Sequence, residues 1–141
     1  MEQLGRHILI EYYNCNKETL KDHEIIEKYM REAAIKSKAT IVTSCFHRFN
    51  PWGVSGAVII QESHLTIHTW PEYGYASVDL YTCGDTINPW DAFNYLEEVL
   101  EAERSESTEI ARGIVEKIKN YSDVEMDVTS HKPFDLSGRE E

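Results

Sequence analysis

The apolar positions of this chain switch between a two-residue and a helical period, and the switches divide it into elements. His7 to Tyr13 (HILIEYY) reads as a first strand, and the polar, cap-forming residues Asn14 to Thr19 end it and start a helix. From Leu20 to Ser37 the apolar residues Ile26, Tyr29, Met30, Ala33 and Ala34 recur at helical spacing, with Lys21, Asp22, Lys28, Arg31, Glu32 and Lys36 opposite. Four strand-like runs follow, Thr40 to Phe49, Val54 to Gln61, His64 to Trp70 and Tyr75 to Cys83, broken only by NPWG, ES and PEYG. They predict an antiparallel meander. In the last run Ala76, Val78 and Leu80 share one parity, while Ser77, Asp79, Tyr81 and Cys83 share the other, giving one apolar face and one polar, aromatic face. Asn88-Pro89 is a helix start, and Ala92, Phe93, Leu96, Val99 and Leu100 carry that helix to about Ala102. Ser105 to Val115 reads as a weakly alternating final strand.

The order β-α-β-β-β-β-α-β predicts an α+β fold, a two-layer sandwich of an antiparallel sheet with two helices packed on one face. The other sheet face must be solvated or covered by a partner. A length of 141 residues suits a single domain, placed at 1–120, with 121–141 polar and acidic enough for a flexible tail. No apolar run approaches the roughly 20 residues that span a bilayer, and the chain start lacks signal-peptide character, so no membrane partner and a cytoplasmic location are expected. Fourteen Lys+Arg against 25 Asp+Glu give −11, which disfavours nucleic acid. The three cysteines, Cys15, Cys45 and Cys83, form no C-x-x-C pair, and neither a disulfide framework nor a zinc knuckle is signalled.

The break at Glu62-Ser63 is too short for a comfortable turn, so the backbone there is either kinked or held in an unusual turn. Strain beside a serine has a chemical meaning. A serine hydroxyl can attack the carbonyl of the preceding residue and turn the amide into an ester, provided that the peptide is distorted and a donor stabilises the oxyanion. Elimination then breaks the ester.

The stretch GVSGAVIIQESHLTIHTWPEYGYASVDLYTCG, Gly53 to Gly84, closely resembles the prokaryotic S-adenosylmethionine decarboxylase proenzyme family, and the likeness extends weakly over residues 4 to 115. The resemblance implies a cut between Glu62 and Ser63, leaving chains 1–62 and 63–141, with Ser63 converted to a pyruvoyl group. Decarboxylation leaves electrons on the α carbon, and no ordinary side chain delocalises them, so a backbone-derived ketone that forms a Schiff base with the substrate amine meets the need. Pyridoxal phosphate and metal are not expected. His64 and His68 are four apart, a chelating separation on a helix but not on a strand.

By the same resemblance His68 is the proton acceptor in processing, Cys83 the proton donor to the decarboxylated carbon, and Ser55 an aid to processing through hydrogen bonding. Phe49 resembles the aromatic that stacks on the adenine, Glu72 the acid that holds the ribose hydroxyls, and Trp70 a further wall of that pocket. Strict alternation puts His68 with His64, Thr66 and Trp70 and opposite Ser63, so the backbone is expected to bend at Ser63, a bend that the precursor turn would have to supply. The function implied is self-processing, pyruvoyl-dependent decarboxylation of the small molecule S-adenosylmethionine for polyamine synthesis, by a homodimer. The alternatives are a same-fold arginine or ornithine decarboxylase and an uncleaved, non-enzymatic binding protein.

Overall fold

The computed structural model describes residues 2–124. Strands β1 (Gln3–Tyr13), β2 (Ile41–Arg48), β3 (Val54–Ile60), β4 (Ser63–Trp70), β5 (Tyr75–Cys83) and β6 (Arg104–Ile114) form one sheet in the order β2-β3-β4-β5-β1-β6. Every ladder is antiparallel. The expected meander is β2 to β5; β1 docks on its β5 edge, and β6 on β1. The four helices are α1 (Lys17–Lys21), α2 (His23–Lys36), α3 (Pro89–Val99) and α4 (Val115–Val124), and a 3-10 turn spans Pro71–Tyr73.

Alternation decides which side chains are buried. Ile8, Ile10 and Tyr12 of β1, Val58 and Ile60 of β3, Leu65 and Ile67 of β4, and Val78 and Leu80 of β5 all point to one face and are almost fully buried. They meet Ile26, Met30, Ala33 and Ala34 of α2 and Ala92 and Leu96 of α3 in one core. The two-layer α+β sandwich with both main helices on one face is therefore the architecture observed.

Three features differ from the sequence reading. The first helix is two helices, because the Asp22 side chain caps a fresh start by accepting from Glu24 N and Ile25 N at 3.1 and 3.2 Å. β1 begins at Gln3, as its first residues pair with β6. The tail expected from 121 is corrected in its first residues: α4 runs to Val124, anchored where Val115 N donates to Glu2 O at 3.1 Å. The rest of that expectation, 125–141, lies outside the described residues. Asn88 caps α3 as read, accepting from Trp90 N at 3.0 Å.

Replacing the doubly used cap by Asp22→Ala is expected to lower stability by about 1 kcal/mol. Urea unfolding of the variant beside the parent measures it. An unchanged midpoint contradicts the capping role.

Candidate active site

The turn between β3 and β4 consists of two residues, Gln61 and Glu62, with Ile60 paired to Ser63. Two-residue hairpin turns match the twist of the strands when their first residue, or both, has positive φ. Here only the second does: Glu62 sits at φ 65°. A left-handed conformation at a residue with a side chain costs roughly 1–2 kcal/mol. The expected strain at the Glu62-Ser63 bond is present, and it takes the form of this turn.

Cys83, at the end of β5, donates its thiol hydrogen to the Glu62 carbonyl oxygen at 3.1 Å. Its approach depends on β1. A Cβ on Gly5 would stand 2.8 Å from a Tyr81 ring carbon and 3.3 Å from Cys83 Sγ, so only glycine admits this packing. An open cleft of ≈ 1140 Å³ lies here, lined by Gly5, Arg6, Glu62, Tyr81, Thr82 and Cys83 among others. Ser63 Oγ is buried and without a hydrogen-bond partner.

A second cluster lies at the far end of β4. Ser55 and His68 are opposite one another on β3 and β4, with Ser55 Oγ hydrogen-bonded to His68 Nδ1 at 2.7 Å. When His68 donates from Nδ1 to that hydroxyl, Nε2 keeps a lone pair and the imidazole is ready as a base. Around the pair stand Trp70, its ring 6.5 Å from His68, and His47, opposite Ser55. Phe49 sits edge-on to His47 at 4.8 Å and is 48% exposed. Glu72 follows in the 3-10 turn, exposed.

These two clusters do not meet. β4 pairs without a register break along its length, so the bend required at Ser63 is absent. Ser63, Leu65 and Ile67 face the helices, whereas His64, Thr66, His68 and Trp70 occupy the open face. Five residues of strand put Ser63 and His68 of one chain about 16 Å apart.

Between the clusters the open face carries a polar hub that sequence reasoning missed. Asp79 Oδ2 lies 2.7 Å from His7 Nε2 and 3.4 Å from His64 Nε2, and its other oxygen accepts from Thr66. Arg112 donates to His7 Nδ1 at 3.0 Å, and because arginine can only donate, the His7 proton sits on Nε2, directed at Asp79. His7, His64 and Asp79 hold three metal-type donor atoms within 4.8 Å of one another, yet His7 has no lone pair left at Nε2, so the cluster reads as a hydrogen-bond hub. Burial pushes the Asp79 carboxyl up, but hydrogen bonds from Thr66 and His7, together with the favourable electrostatics of the two imidazoles beside it, outweigh it and hold the pKa below the ordinary value. Cys15 is buried in the core, which pushes its thiol up to about 11; Cys45 is exposed on β2.

Residues 6–113 match the family described as S-adenosylmethionine decarboxylase. The S-adenosylmethionine decarboxylase proenzyme of Thermosipho melanesiensis is 59% identical over 118 residues, covering 84% of this chain and 91% of that protein. The proenzyme of Thermotoga maritima is 55% identical with the same coverage. The crystal structure of the adenosylmethionine decarboxylase from Aquifex aeolicus superposes with a TM-score of 0.76 at 35% identity, covering 82% of this chain and 95% of that one. A Trypanosoma brucei enzyme monomer shares the fold alone, with a TM-score of 0.57 at 19% identity over 72% of this chain and 44% of that one.

A carboxylate whose pKa is lowered by folding adds stability above its unfolded pKa and loses it as pH falls through the folded one. The Asp79 contribution should therefore be complete near neutrality and vanish as pH drops below the ordinary aspartate value of 3.8. Acid titration of thermal stability is expected to be less steep below that pH in Asp79→Asn than in the parent; parallel curves contradict the hub.

Proposed function

The chain belongs to the S-adenosylmethionine decarboxylase family, and from that membership we propose that it is made as an uncut precursor, breaks itself between Glu62 and Ser63, and works as a homodimer. It is an enzyme that decarboxylates S-adenosylmethionine; neither arginine nor ornithine as substrate, nor an uncut binding role, draws support from the relatives. The thiol of Cys83 held on the Glu62 carbonyl carries the proposal. That carbonyl is the one a Ser63 hydroxyl must attack, and a strained, donor-polarised amide next to an unpartnered hydroxyl is the arrangement the reaction needs.

The Ser63 oxygen forms a bond to the Glu62 carbonyl carbon, and the carbonyl electron pair moves to oxygen, where the Cys83 S–H stabilises it. The C–N bond then breaks, and the nitrogen leaves with the hydroxyl proton, giving an ester. His68 removes the Ser63 α-proton, the Cβ–Oγ bond breaks, and Glu62 departs as a carboxylate. Tautomerisation and hydrolysis of the remaining end release ammonia and leave a pyruvoyl group at position 63. The orphaned Ser63 oxygen beside the cleft fits a group made in place. That ketone supplies the electron sink for decarboxylation. Cys83 stays beside it as the proton donor to the product carbon. Phe49 and Trp70 offer aromatic faces to the adenine and cationic sulfonium, and Glu72 accepts from the ribose hydroxyls. The product serves as aminopropyl donor in polyamine synthesis in the cytoplasm; among the described residues no helix is long and apolar enough to cross a membrane.

Distance and the open sheet face support the homodimer. His68 is about 16 Å from its own Ser63 and on the opposite face, so the histidine that serves Ser63 comes from a second copy. Leu9, Ile59, Trp70 and Ile110 are each 39–43% exposed on that face, among the side chains of the hub. A two-fold axis sets the His68 cluster of each copy against the Ser63 cluster of the other and makes two equal sites.

Denaturing mass spectrometry of the purified protein should give two chains, 1–62 and 63–141, the second without a free amino terminus. One full-length species overturns the proposal. Ser63→Ala is expected to remain whole, and Cys83→Ala to cleave about 10- to 100-fold more slowly, having lost one oxyanion donor. Parental cleavage kinetics in Cys83→Ala would confine that thiol to turnover.

A further inference from the structure

Three polar residues are buried in the described part of the protein, Ser37, Thr69 and Thr82. Two are satisfied. Ser37 Oγ donates to Ala34 O at 2.8 Å, and Thr69 Oγ1 donates to Leu20 O and accepts from Val54 N, both at 2.9 Å. Thr82, 2% exposed, has a hydroxyl with no partner. An unsatisfied buried hydroxyl is a standing penalty that a valine of the same shape would remove, so its presence needs a reason other than stability.

Its neighbour supplies the reason. Among the described residues the buried side-chain oxygens and nitrogens without a partner are two, Thr82 Oγ1 and Ser63 Oγ. Continued by one step beyond its last pair, the β4-β5 register that joins His64 to Tyr81 and Leu65 to Leu80 brings Ser63 opposite Thr82. Both side chains follow the parity of Leu65 and Leu80 and point to the helix-covered face. Directly opposed residues of an antiparallel pair have Cβ atoms about 4.5–5.5 Å apart, so rotation about χ1 brings the two hydroxyls within hydrogen-bond reach. The Cys83 thiol is on the Glu62 carbonyl oxygen, and Ser63 and Thr82 follow the parity opposite to that of Cys83.

We propose that Thr82 is a positioning residue for self-cleavage, its hydroxyl donating a hydrogen bond to Ser63 Oγ as that oxygen turns toward the Glu62 carbonyl carbon. The inference rests on the cut at Glu62-Ser63 proposed above. The Thr82 proton does not transfer. It holds the nucleophilic oxygen in one rotamer, a lone pair toward the Glu62 carbonyl carbon, while the negative charge of the adduct falls on the Glu62 oxygen beside Cys83 and the Ser63 proton passes to the departing nitrogen. In the precursor both hydroxyls are unpaired, and a bond between them satisfies two buried groups at once as Ser63 turns to attack.

The test follows cleavage of newly made precursor in cell-free translation by denaturing gel, with thermal unfolding of each variant in a Ser63→Ala background. Thr82→Val should cut about tenfold more slowly, the rate equivalent of one hydrogen bond, with an unfolding midpoint equal to the parent or higher. Thr82→Ser should cut close to the parental rate. A Thr82→Val protein that cuts within about twofold of the parent overturns the role, as does equal slowing in Thr82→Ser, which would make the effect one of packing. Failure of the parent itself to cut at Glu62-Ser63 would instead defeat the proposed function.

Discussion

The two-residue period of β4 is the constraint on which everything else depends. A strand cannot point residues of opposite parity to the same side. Ser63 therefore goes inward with Leu65 and Ile67, His68 goes outward with His64 and Trp70, and the ladder to β5 runs unbroken between them. β3 pairs with β4 from Ser63 to His68 and β5 pairs with it from His64 to Trp70, with no bulge between the two residues. A rigid central strand thus holds two half-sites, one at each end: a carbonyl, a thiol and a buried serine near the β3-β4 turn, and a hydroxyl-bound imidazole with aromatics at the other. In the proposed homodimer a second sheet joins them across the face that the helices leave bare.

The features unfavourable to stability are gathered at one peptide bond. Glu62 takes a left-handed conformation in a turn whose handedness does not match its strands, and the hydroxyls of Ser63 and Thr82 lie buried with nothing to bond. Elsewhere the same protein satisfies its buried hydroxyls, as at Ser37 and Thr69, and uses glycine where chain must approach chain, as at Gly5 against Tyr81 and Cys83. If this is the bond cut, as proposed, such strain and unmet hydrogen bonds raise the ground state of the precursor and disappear with the bond. The core of α2, α3 and five strands supplies the stability that lets this persist.

Much of the fold was legible locally. The alternation of β5 and the Asn88-Pro89 start of α3 are properties of a few adjacent residues, and both stand as read. The helix break at Asp22 was not legible, since a capping aspartate and a solvent-facing helical aspartate look the same in a sequence. α4 was missed because its anchor is a hydrogen bond to Glu2, far away in the chain. In the candidate site, Ser63, Cys83, Ser55 and His68 were found through a contiguous motif, and alternation alone already set Ser63 and His68 on opposite faces. The Asp79 hub draws on β1, β4, β5 and β6, and the pairing of Ser63 with Thr82 needs the β4-β5 register; neither is written in any short stretch.

The division of the site between two copies is tested most directly by making two defective chains together. Ser63→Ala and His68→Ala chains, each inert alone and carrying different tags, would be co-expressed and isolated as mixed dimers. A shared site predicts that the His68→Ala chain is cut at Glu62-Ser63, served by the histidine of its partner, while the Ser63→Ala chain stays whole. Mixed dimers in which the His68→Ala chain remains uncut contradict it.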